Sequence, residues 1–195
     1  DGILNADPKV FPDAVQIAEL NYLDTIELAY SGAQIIHPKT IKPLQNKNIP
    51  LYVRPFGDKR KPGTVIRRMS APIEVPILIL KKDQVLLTIR SRDFSFVLEE
   101  KFAAIFSLLE RYRIKVNLVH NSAVNLSLCV DNSWHIDEAI QALRNEEFDV
   151  MKVENMELLT IRGYNGDLME RYASGPEVFL LQRTQSTARI VRKNR

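Results

Sequence analysis

The segment IKVNLVHNSAVNLSLCV, residues 114–130, contains two stretches in which apolar side chains return at every second position. In residues 114–119 the aliphatic side chains Ile114, Val116 and Leu118 occupy the even positions, and the same holds across residues 124–130. A period of two is typical of a β-strand that buries one of its faces. The segment therefore predicts two half-buried strands connected by a short turn.

An amphipathic helix is expected on each side of these strands. Apolar residues recur at spacings of three and four over residues 102–112, and again over residues 136–143. Ser133 is placed to cap the second helix, which carries Asp137 and Glu138 in its first turn. Both helices present an apolar stripe, so we expect each of them to cover the predicted sheet.

Two further strands complete the pattern, at residues 85–90 and residues 148–153. The order from Val85 to Val153 is then strand–helix–strand–strand–helix–strand, the split βαβ arrangement of ferredoxin-like units. The predicted fold class is α/β (α+β). Catalytic, ligand-binding and RNA-binding proteins share this arrangement, so it does not define a function by itself. An RNA-binding role is disfavoured because the central strands lack paired exposed aromatic residues for base stacking.

The pattern restarts after Val153 and is incomplete. We expect a strand at residues 156–162, a short helix at residues 176–182 and a strand at residues 188–191. An apolar strand at residues 77–80, separated from the next strand by a turn at residues 81–83, is available to complete this second copy. The region from residue 76 onwards therefore predicts one full unit and one partial unit.

The first 66 residues differ in composition. They predict a polar loop, a helix from Tyr22 to Tyr30 that is capped by Asn21, and a second helix that begins at Pro38. Strands are expected at residues 49–53 and residues 64–66. Residues 67–76 contain two prolines and show no periodicity, which places a domain boundary there.

The bulk properties exclude several classes of protein. Hydrophobic residues make up 45% of the 195 positions and charged residues 26%, as in a folded domain. The net charge of +3 comes partly from the C-terminal residues and does not indicate a nucleic-acid partner. No apolar run approaches the roughly 18 residues of a membrane-spanning helix. The single Cys129 excludes an internal disulfide and suits a cytoplasmic location. The three histidines show no metal-ligand spacing, so we expect no metal site.

Four ordered motifs in the first region carry a family resemblance. They are DGILNADPK at residues 1–9, GAQIIHPKT at residues 32–40, IPLYV at residues 49–53 and PGTVI at residues 62–66. This series is similar to the end of the aspartokinase catalytic domain. The sequence from residue 84 to residue 128 is in turn similar to the tandem ACT regulatory units of the lysine-sensitive members. On this resemblance the chain begins within a domain.

The resemblance implies that the chain has a catalytic part and a regulatory part. Residues 1–67 would be the C-terminal portion of the catalytic domain and residues 76–195 the regulatory region. Within that region, one ACT unit would span about 84–154 and a second, partial unit about 76–82 plus 155–195. The full-length enzyme would transfer the γ-phosphoryl group of ATP to the side-chain carboxylate of L-aspartate with Mg²⁺. The family's catalytic lysine and glycine-rich phosphate loop have no counterpart in this sequence. We therefore expect no catalytic residues here and no turnover, or cofactor requirement, by this chain alone.

Three positions match the nucleotide-binding residues of the family, and all three differ in residue type. Leu4 stands where the family has tyrosine, Lys9 where it has arginine, and Gln34 where it has lysine. Lys9 keeps the positive charge but not the bidentate fork of a guanidinium. The resemblance thus implies a nucleotide-side contact in which these residues either bind the nucleotide or only pack and cap the turn.

The resemblance also implies an effector site. In the family, an end-product amino acid binds where ACT units of two subunits meet, at the start of the first helix and along the next strand. A homodimer is therefore expected, with lysine or threonine as the class of effector. Relatives that respond to lysine often carry acidic residues at the positions of Asn117 and Ala123, so their absence favours a neutral effector. The alternative is a non-catalytic ACT dimerisation module or regulatory subunit. The positions of this sequence that match the family's effector site are Ser95, Leu98, Lys101, Phe102, Val116, Asn117, Asn121 and Ser122.

Overall fold

The computed structural model describes residues 2–33, 35–58, 60–68, 75–93 and 99–194. The chain forms two compact units. The first unit contains Asp1–Lys81, Leu159–Ser174 and Arg183–Arg189. The second unit contains Lys82–Leu158, Gly175–Gln182 and Ile190–Arg195.

The early part of the first unit is built from short strands and two helices. Its elements are β1 (Ile3–Leu4), β2 (Gln16–Ile17), β3 (Glu19–Leu20), α1 (Tyr22–Tyr30), α2 (Pro38–Asn46), β4 (Leu51–Val53) and β5 (Thr64–Ile66). β1 pairs with β2 in an antiparallel ladder. β5 lies between β3 and β4, parallel to β3 and antiparallel to β4.

Local sequence signals account for the two helices of this unit. The Asn21 side chain accepts a hydrogen bond from the Asp24 backbone N–H at 2.6 Å, so the predicted cap and the predicted bounds of α1 are confirmed. α2 begins at Pro38, as predicted, with His37 as its cap. Leu28 of α1 and Ile41 of α2 are fully buried in the core of this unit.

Two strands are much longer than the sequence pattern indicates. β6 runs from Ile77 to Ser91 and β9 from Phe148 to Arg162. The predicted turn at residues 81–83 is therefore wrong, and so is the division of β9 into two strands. Asp83 and Asn155 have φ angles of 54° and 59°, and a single residue of this kind bends a strand without ending it. The exposed polar residues at these bends resemble a turn in the sequence alone.

The remaining elements complete the order strand–helix–strand–strand–helix–strand that was predicted for residues 85–153. They are α3 (Glu99–Arg111), β7 (Val116–Asn121), β8 (Asn125–Asp131), α4 (Ile136–Asn145), α5 (Gly166–Ala173), β10 (Val178–Arg183) and β11 (Thr187–Lys193). Among the described residues, six strands form one sheet in the order β10-β11-β9-β6-β8-β7. The mixed α/β fold class with ferredoxin-like order is confirmed.

Two local predictions in this part of the chain are wrong. Residues 176–182 do not form a helix, because most of them belong to β10, and the helix of this region is α5, which Asn165 caps through the Leu168 N–H at 2.9 Å. α4 begins after His135 and not after Ser133, whose hydroxyl accepts from the His135 N–H at 3.3 Å. In both places the residue that precedes the helix lies two or more positions from the start that the sequence pattern indicates.

The sheet of the second unit is buried on both faces. Alternate residues of β6, such as Leu87 and Ile89, pack with Ile105 of α3 and Leu143 of α4. The intervening residues pack in a second cluster that contains Leu86, Leu118, Cys129, Met156 and Leu180. β6 and β8 are in register, with Leu87 opposite Leu128. The period of two in the sequence therefore separates two apolar cores, because successive side chains of a strand point to opposite faces. No helix within the described ranges is both long enough and apolar enough to span a membrane.

Candidate functional site

The first unit contains a cavity of about 550 Å³. Its walls are the loop of residues 2–9, the segment around Gly32 and Ala33, the strand β4 at Val53 and the beginning of β6. Two of the family-like motifs, at residues 1–9 and residues 32–40, therefore contribute to one cavity.

The cavity loop is held in place by hydrogen bonds between side chains and backbone groups. Gly2 has a φ angle of 89°, and a Cβ atom at this position would lie 2.9 Å from both the Gln16 and the Thr64 side chains. The Thr64 hydroxyl accepts from the Ile3 N–H at 2.8 Å and donates to the Ile17 carbonyl at 2.6 Å. Asp7 accepts from the Lys9 N–H at 2.9 Å. The loop therefore takes its shape from its own polar residues and from β5.

Two of the three predicted nucleotide-side residues line this cavity. Leu4 is half-buried and contributes aliphatic surface, and Lys9 is exposed and contributes a cationic side chain. Gln34 lies outside the described residues, between the lining residues Ala33 and Ile35. An aliphatic wall beside an exposed cation suits a ligand with an apolar ring and an anionic group.

Asn5, which the sequence did not single out, makes four hydrogen bonds in the middle of the loop. Its backbone N–H donates to the Val15 carbonyl at 2.9 Å, and its side-chain oxygen accepts from the Val15 N–H at 2.8 Å. Its side-chain nitrogen donates to the Pro76 carbonyl at 2.8 Å, and its carbonyl accepts from the Leu78 N–H at 2.8 Å. The only sequence signal was a polar side chain between Leu4 and Ala6.

The second candidate region lies in the second unit and includes Lys101 of α3. The Lys101 ammonium donates to the Ser91 hydroxyl at 2.8 Å and lies 3.6 Å from an Asp93 carboxylate oxygen. The Ser91 hydroxyl donates in turn to Asp93 at 2.5 Å. Ser95 and Leu98, also predicted for this region, lie outside the described residues. Lys101 is therefore a positioned cation near the beginning of α3.

Asn117 belongs to a polar cluster, which we call the amide–carboxylate cluster and define as Gln84, Asn117 and Asp131. The Asn117 side-chain nitrogen lies 2.7 Å from both the Gln84 side-chain oxygen and an Asp131 carboxylate oxygen. The Gln84 side-chain nitrogen donates to the same Asp131 oxygen at 2.9 Å, and Gln84 is almost completely buried. Gln84 and Asp131 were missed because they lie at the predicted strand ends, where polar residues are ordinary.

The other predicted effector residues divide between the core and the surface. Phe102 and Val116 are half-buried and pack against the same helix-side core. Asn121 and Ser122 are exposed at the end of β7, where the Ser122 N–H donates to the Asn125 carbonyl at 2.8 Å. The structure thus brings Phe102 and Val116 to one core and places Asn121 and Ser122 at the β7–β8 turn.

No cluster of three or more histidine, cysteine or acidic side chains able to hold a metal ion occurs in the part of the chain that the structure describes.

The sequence is similar to one protein family and to several of its members. Residues 1–55 match the model of the amino acid kinase family. The chain is 35% identical over 140 residues to aspartokinase 3, chloroplastic, of Arabidopsis thaliana, covering 68% of this chain and 24% of that relative. It is 31% identical over 186 residues to lysine-sensitive aspartokinase 3 of Escherichia coli, covering 91% of this chain and 41% of that relative.

Solved structures show the same fold. The Clostridium acetobutylicum aspartate kinase matches with a TM-score of 0.84 at 18% identity, over 98% of this chain and 48% of that one. E. coli aspartokinase III in complex with lysine and aspartate matches with a TM-score of 0.75 at 25% identity, over 97% of this chain and 46% of that one. The same enzyme with aspartate and ADP matches with a TM-score of 0.79 at 24% identity, over 98% of this chain and 46% of that one.

The class is therefore an amino acid kinase segment followed by a mixed α/β region of ferredoxin-like order. The chain belongs to the aspartokinase family, which confirms the resemblance drawn from the four motifs. It spans about 24% and 41% of the length of the two relatives named above.

Proposed function

We propose that this chain is the regulatory region of an aspartokinase together with the end of its catalytic domain, and that it senses an end-product amino acid. The observation that supports the proposal best is the order β9-β6-β8-β7 with helices α3 and α4 over one face. This order leaves β7, which carries four of the predicted effector residues at or next to it, at an edge of the sheet. Residues 1–67 would be the catalytic portion and residues 76–195 the regulatory portion.

In the complete enzyme, the reaction would be phosphoryl transfer from ATP to L-aspartate, giving 4-phospho-L-aspartate with the help of Mg²⁺. The cavity of the first unit would hold the nucleotide side of the ligand, with Leu4 against its apolar part and Lys9, and by its place in the sequence Gln34, near its phosphates. The E. coli relative that was solved with ADP and aspartate supports this assignment. The chain by itself would not turn over, because no glycine-rich phosphate loop is present in its sequence.

The effector would bind through its α-carboxylate near Lys101 and the beginning of α3, where a cation and the positive end of the helix dipole favour an anion. Its side chain would lie towards β7. The amide–carboxylate cluster lies at the opposite end of β6 from Ser91, because Gln84 is opposite Asp131 whereas Arg90 is opposite Asn125, so its carboxylate does not belong to this site. Neither residue 117 nor residue 123 is acidic. The E. coli relative was solved with lysine. Lysine and threonine are therefore the two effectors to be compared.

A second copy of the chain is the proposed partner at β7. Edge strands present unpaired backbone groups that favour pairing with another strand. Val119, in the middle of β7, is 37% exposed, and its carbonyl accepts a 3.3 Å hydrogen bond from the Gln182 side chain. A homodimer through β7 would cover this edge and the effector.

The experiment is a thermal-unfolding series of the 195-residue chain with L-lysine, L-threonine and L-methionine, with D-lysine and D-threonine as controls. A ligand present at 100 times its Kd raises the unfolding free energy by about 2.7 kcal/mol, so one L-amino acid should raise the midpoint and its D-form should not. Lys101→Met should reduce that shift, whereas Arg111→Met at the end of α3 should leave it unchanged. A dimer in sedimentation equilibrium with no shift for any amino acid would contradict sensing and support the dimerisation module.

A further inference from the structure

We propose that Asn5 is a positioning residue of the cavity in the first unit, because it fastens the cavity loop to the beginning of β6. The ligand of this cavity is a nucleotide only if the function proposed above holds, but the fastening of the two walls is independent of that assignment. Nothing in the motifs of the chain assigns a role to Asn5.

The contacts of Asn5 join three segments that are distant in the sequence. Two of its hydrogen bonds tie it to Val15, on the return arm of the loop. The other two tie it to Pro76 and Leu78, which are 71 and 73 positions further along the chain. Asn5 therefore uses both its backbone and its side chain to connect the loop to Val15 on one side and to Pro76 and Leu78 on the other.

The segments that Asn5 joins are walls of the same cavity. Its neighbours Leu4 and Ala6 line the cavity from the loop, and Ile77–Leu80 line it from β6. The spacing between these walls sets the space that a ligand can occupy. A change at Asn5 should therefore move one wall against the other without removing any side chain of the apolar core.

The chemistry of the site requires a carboxamide. The oxygen of Asn5 accepts from an N–H group, and its nitrogen donates to a carbonyl, so one planar group serves both partners. Aspartate is nearly the same shape and keeps an acceptor for Val15, but it turns its other oxygen towards the Pro76 carbonyl. Asn5→Asp thus breaks the side-chain hydrogen bond to Pro76, just before β6, and keeps the one to Val15, whereas Asn5→Ala breaks both; the backbone hydrogen bond from Leu78 remains in each variant.

The test is amide hydrogen exchange of the full 195-residue chain, read by mass spectrometry, for wild type, Asn5→Asp and Asn5→Ala. Exchange at residues 77–80 should accelerate about tenfold in both variants, as expected for the loss of about 1.4 kcal/mol of local protection. Residues 126–130 of β8, which lie in the core of the second unit, should change less than twofold. The matched control is Asn145→Asp, because Asn145 is exposed and accepts one hydrogen bond from Gln141.

A titration with the fluorescent nucleotide mant-ADP and Mg²⁺ gives the second readout. Asn5→Ala should weaken binding about tenfold and Asn145→Asp should leave it unchanged. Unchanged exchange at residues 77–80, or equal acceleration throughout both units, would overturn the positioning role. Accelerated exchange with unaltered mant-ADP affinity would overturn its relevance to the ligand. A wild-type chain that binds no mant-ADP would refute the proposed nucleotide, while the exchange data would still decide whether Asn5 fastens the loop.

Discussion

Asn117 illustrates how much depends on the identity of a single polar residue. Its side-chain nitrogen donates to Asp131 and Gln84 at 2.7 Å, so both acceptors face a hydrogen-bond donor. Asn117→Asp would replace that donor with an oxygen and place two carboxylates in contact. We expect the free energy of unfolding at pH 7 to fall by about 1–3 kcal/mol, the usual cost of a buried polar group that loses its partner.

The pH dependence of Asn117→Asp has a definite sign. Two adjacent carboxylates raise the folded-state pKa of the pair above the unfolded value, so the variant regains stability when the pH falls and loses it when the pH rises. Urea midpoints at pH 4.5 and pH 7.5 measure this difference, with exposed Asn145→Asp as the control. Equal losses at both pH values would contradict the described contacts.

The ion pair between Glu19 and Arg67 gives a second prediction for a single residue. The hydrogen-bonded Arg67 guanidinium lowers the pKa of Glu19 below its usual value, and the Arg67 Nη2 atom lies 2.9 Å from a Glu19 carboxylate oxygen. Stability from this pair is present above the unfolded-state pKa, about 4.3, and is lost as the pH falls through the lower folded-state value.

Glu19→Gln removes that titration. Because both side chains are partly exposed, the variant should lose little stability at pH 7, and the difference from wild type should shrink as the pH falls towards 3. Denaturant midpoints across this pH range measure the effect. A difference that grows on acidification would show that another group dominates.

At the scale of elements, α1 depends on a buried carboxylate with two partners. Asp24 is 5% exposed, accepts from the Asn21 side chain at 2.7 Å, and pairs with Arg162 of β9 within the first unit. Arg162→Met should leave this carboxylate without its cation and reduce the free energy of unfolding by about 3 kcal/mol.

A double-mutant cycle distinguishes the ion pair from simple packing. Asp24→Asn combined with Arg162→Met should be more stable than Arg162→Met alone, because the uncompensated charge is gone. Arg171→Met, at an exposed position of α5, is the matched control. Additive effects of the two substitutions in chemical denaturation would indicate that the pair contributes no coupling energy.

The elements that the sequence predicts well are those whose signals are local. α1 and β5 have the predicted bounds, because a cap residue or a β-branched run defines them within a few positions. The sequence pattern divides β6 and β9 because the polar residues around Asp83 and Asn155 resemble turns. Both strands continue past these residues because they pair with neighbouring strands on either side of them. The sequence pattern predicts a helix over residues 176–182, whereas most of these residues form β10, which pairs with β11, and periodicity along the chain does not reveal that partner.

At the scale of the whole molecule, the proposed homodimer predicts the effect of a charge on the β7 edge. Val119→Lys places an ammonium group on the strand that a second copy would pair with, and inward or edge lysines oppose such pairing. The dimer should dissociate more readily by at least tenfold in Kd, measured by sedimentation equilibrium. Val15→Lys is the matched control, because Val15 is 48% exposed and lies in the first unit. Unchanged association would place the interface elsewhere.

Long-range contacts explain why only part of the candidate site was predictable. The motifs identified Leu4 and Lys9, which do line the cavity, because a loop motif carries its own geometry. The tie from Asn5 to Pro76 joins residues 71 positions apart, and that from Gln84 to Asp131 spans 47 positions. A single sequence contains no signal for such pairs, since alternation and spacing describe only neighbours along the chain.

Cys129 is completely shielded from solvent in β8, and it is the one sulfhydryl of the sequence. Alkylating reagents can modify it only during excursions in which the strands separate, so the rate of its modification measures how often the interior opens. In the folded chain the Cys129 thiol is therefore expected not to react with maleimides. A cysteine introduced at any exposed position can be labelled selectively, and spectroscopic distances can then be measured without first deleting a native thiol.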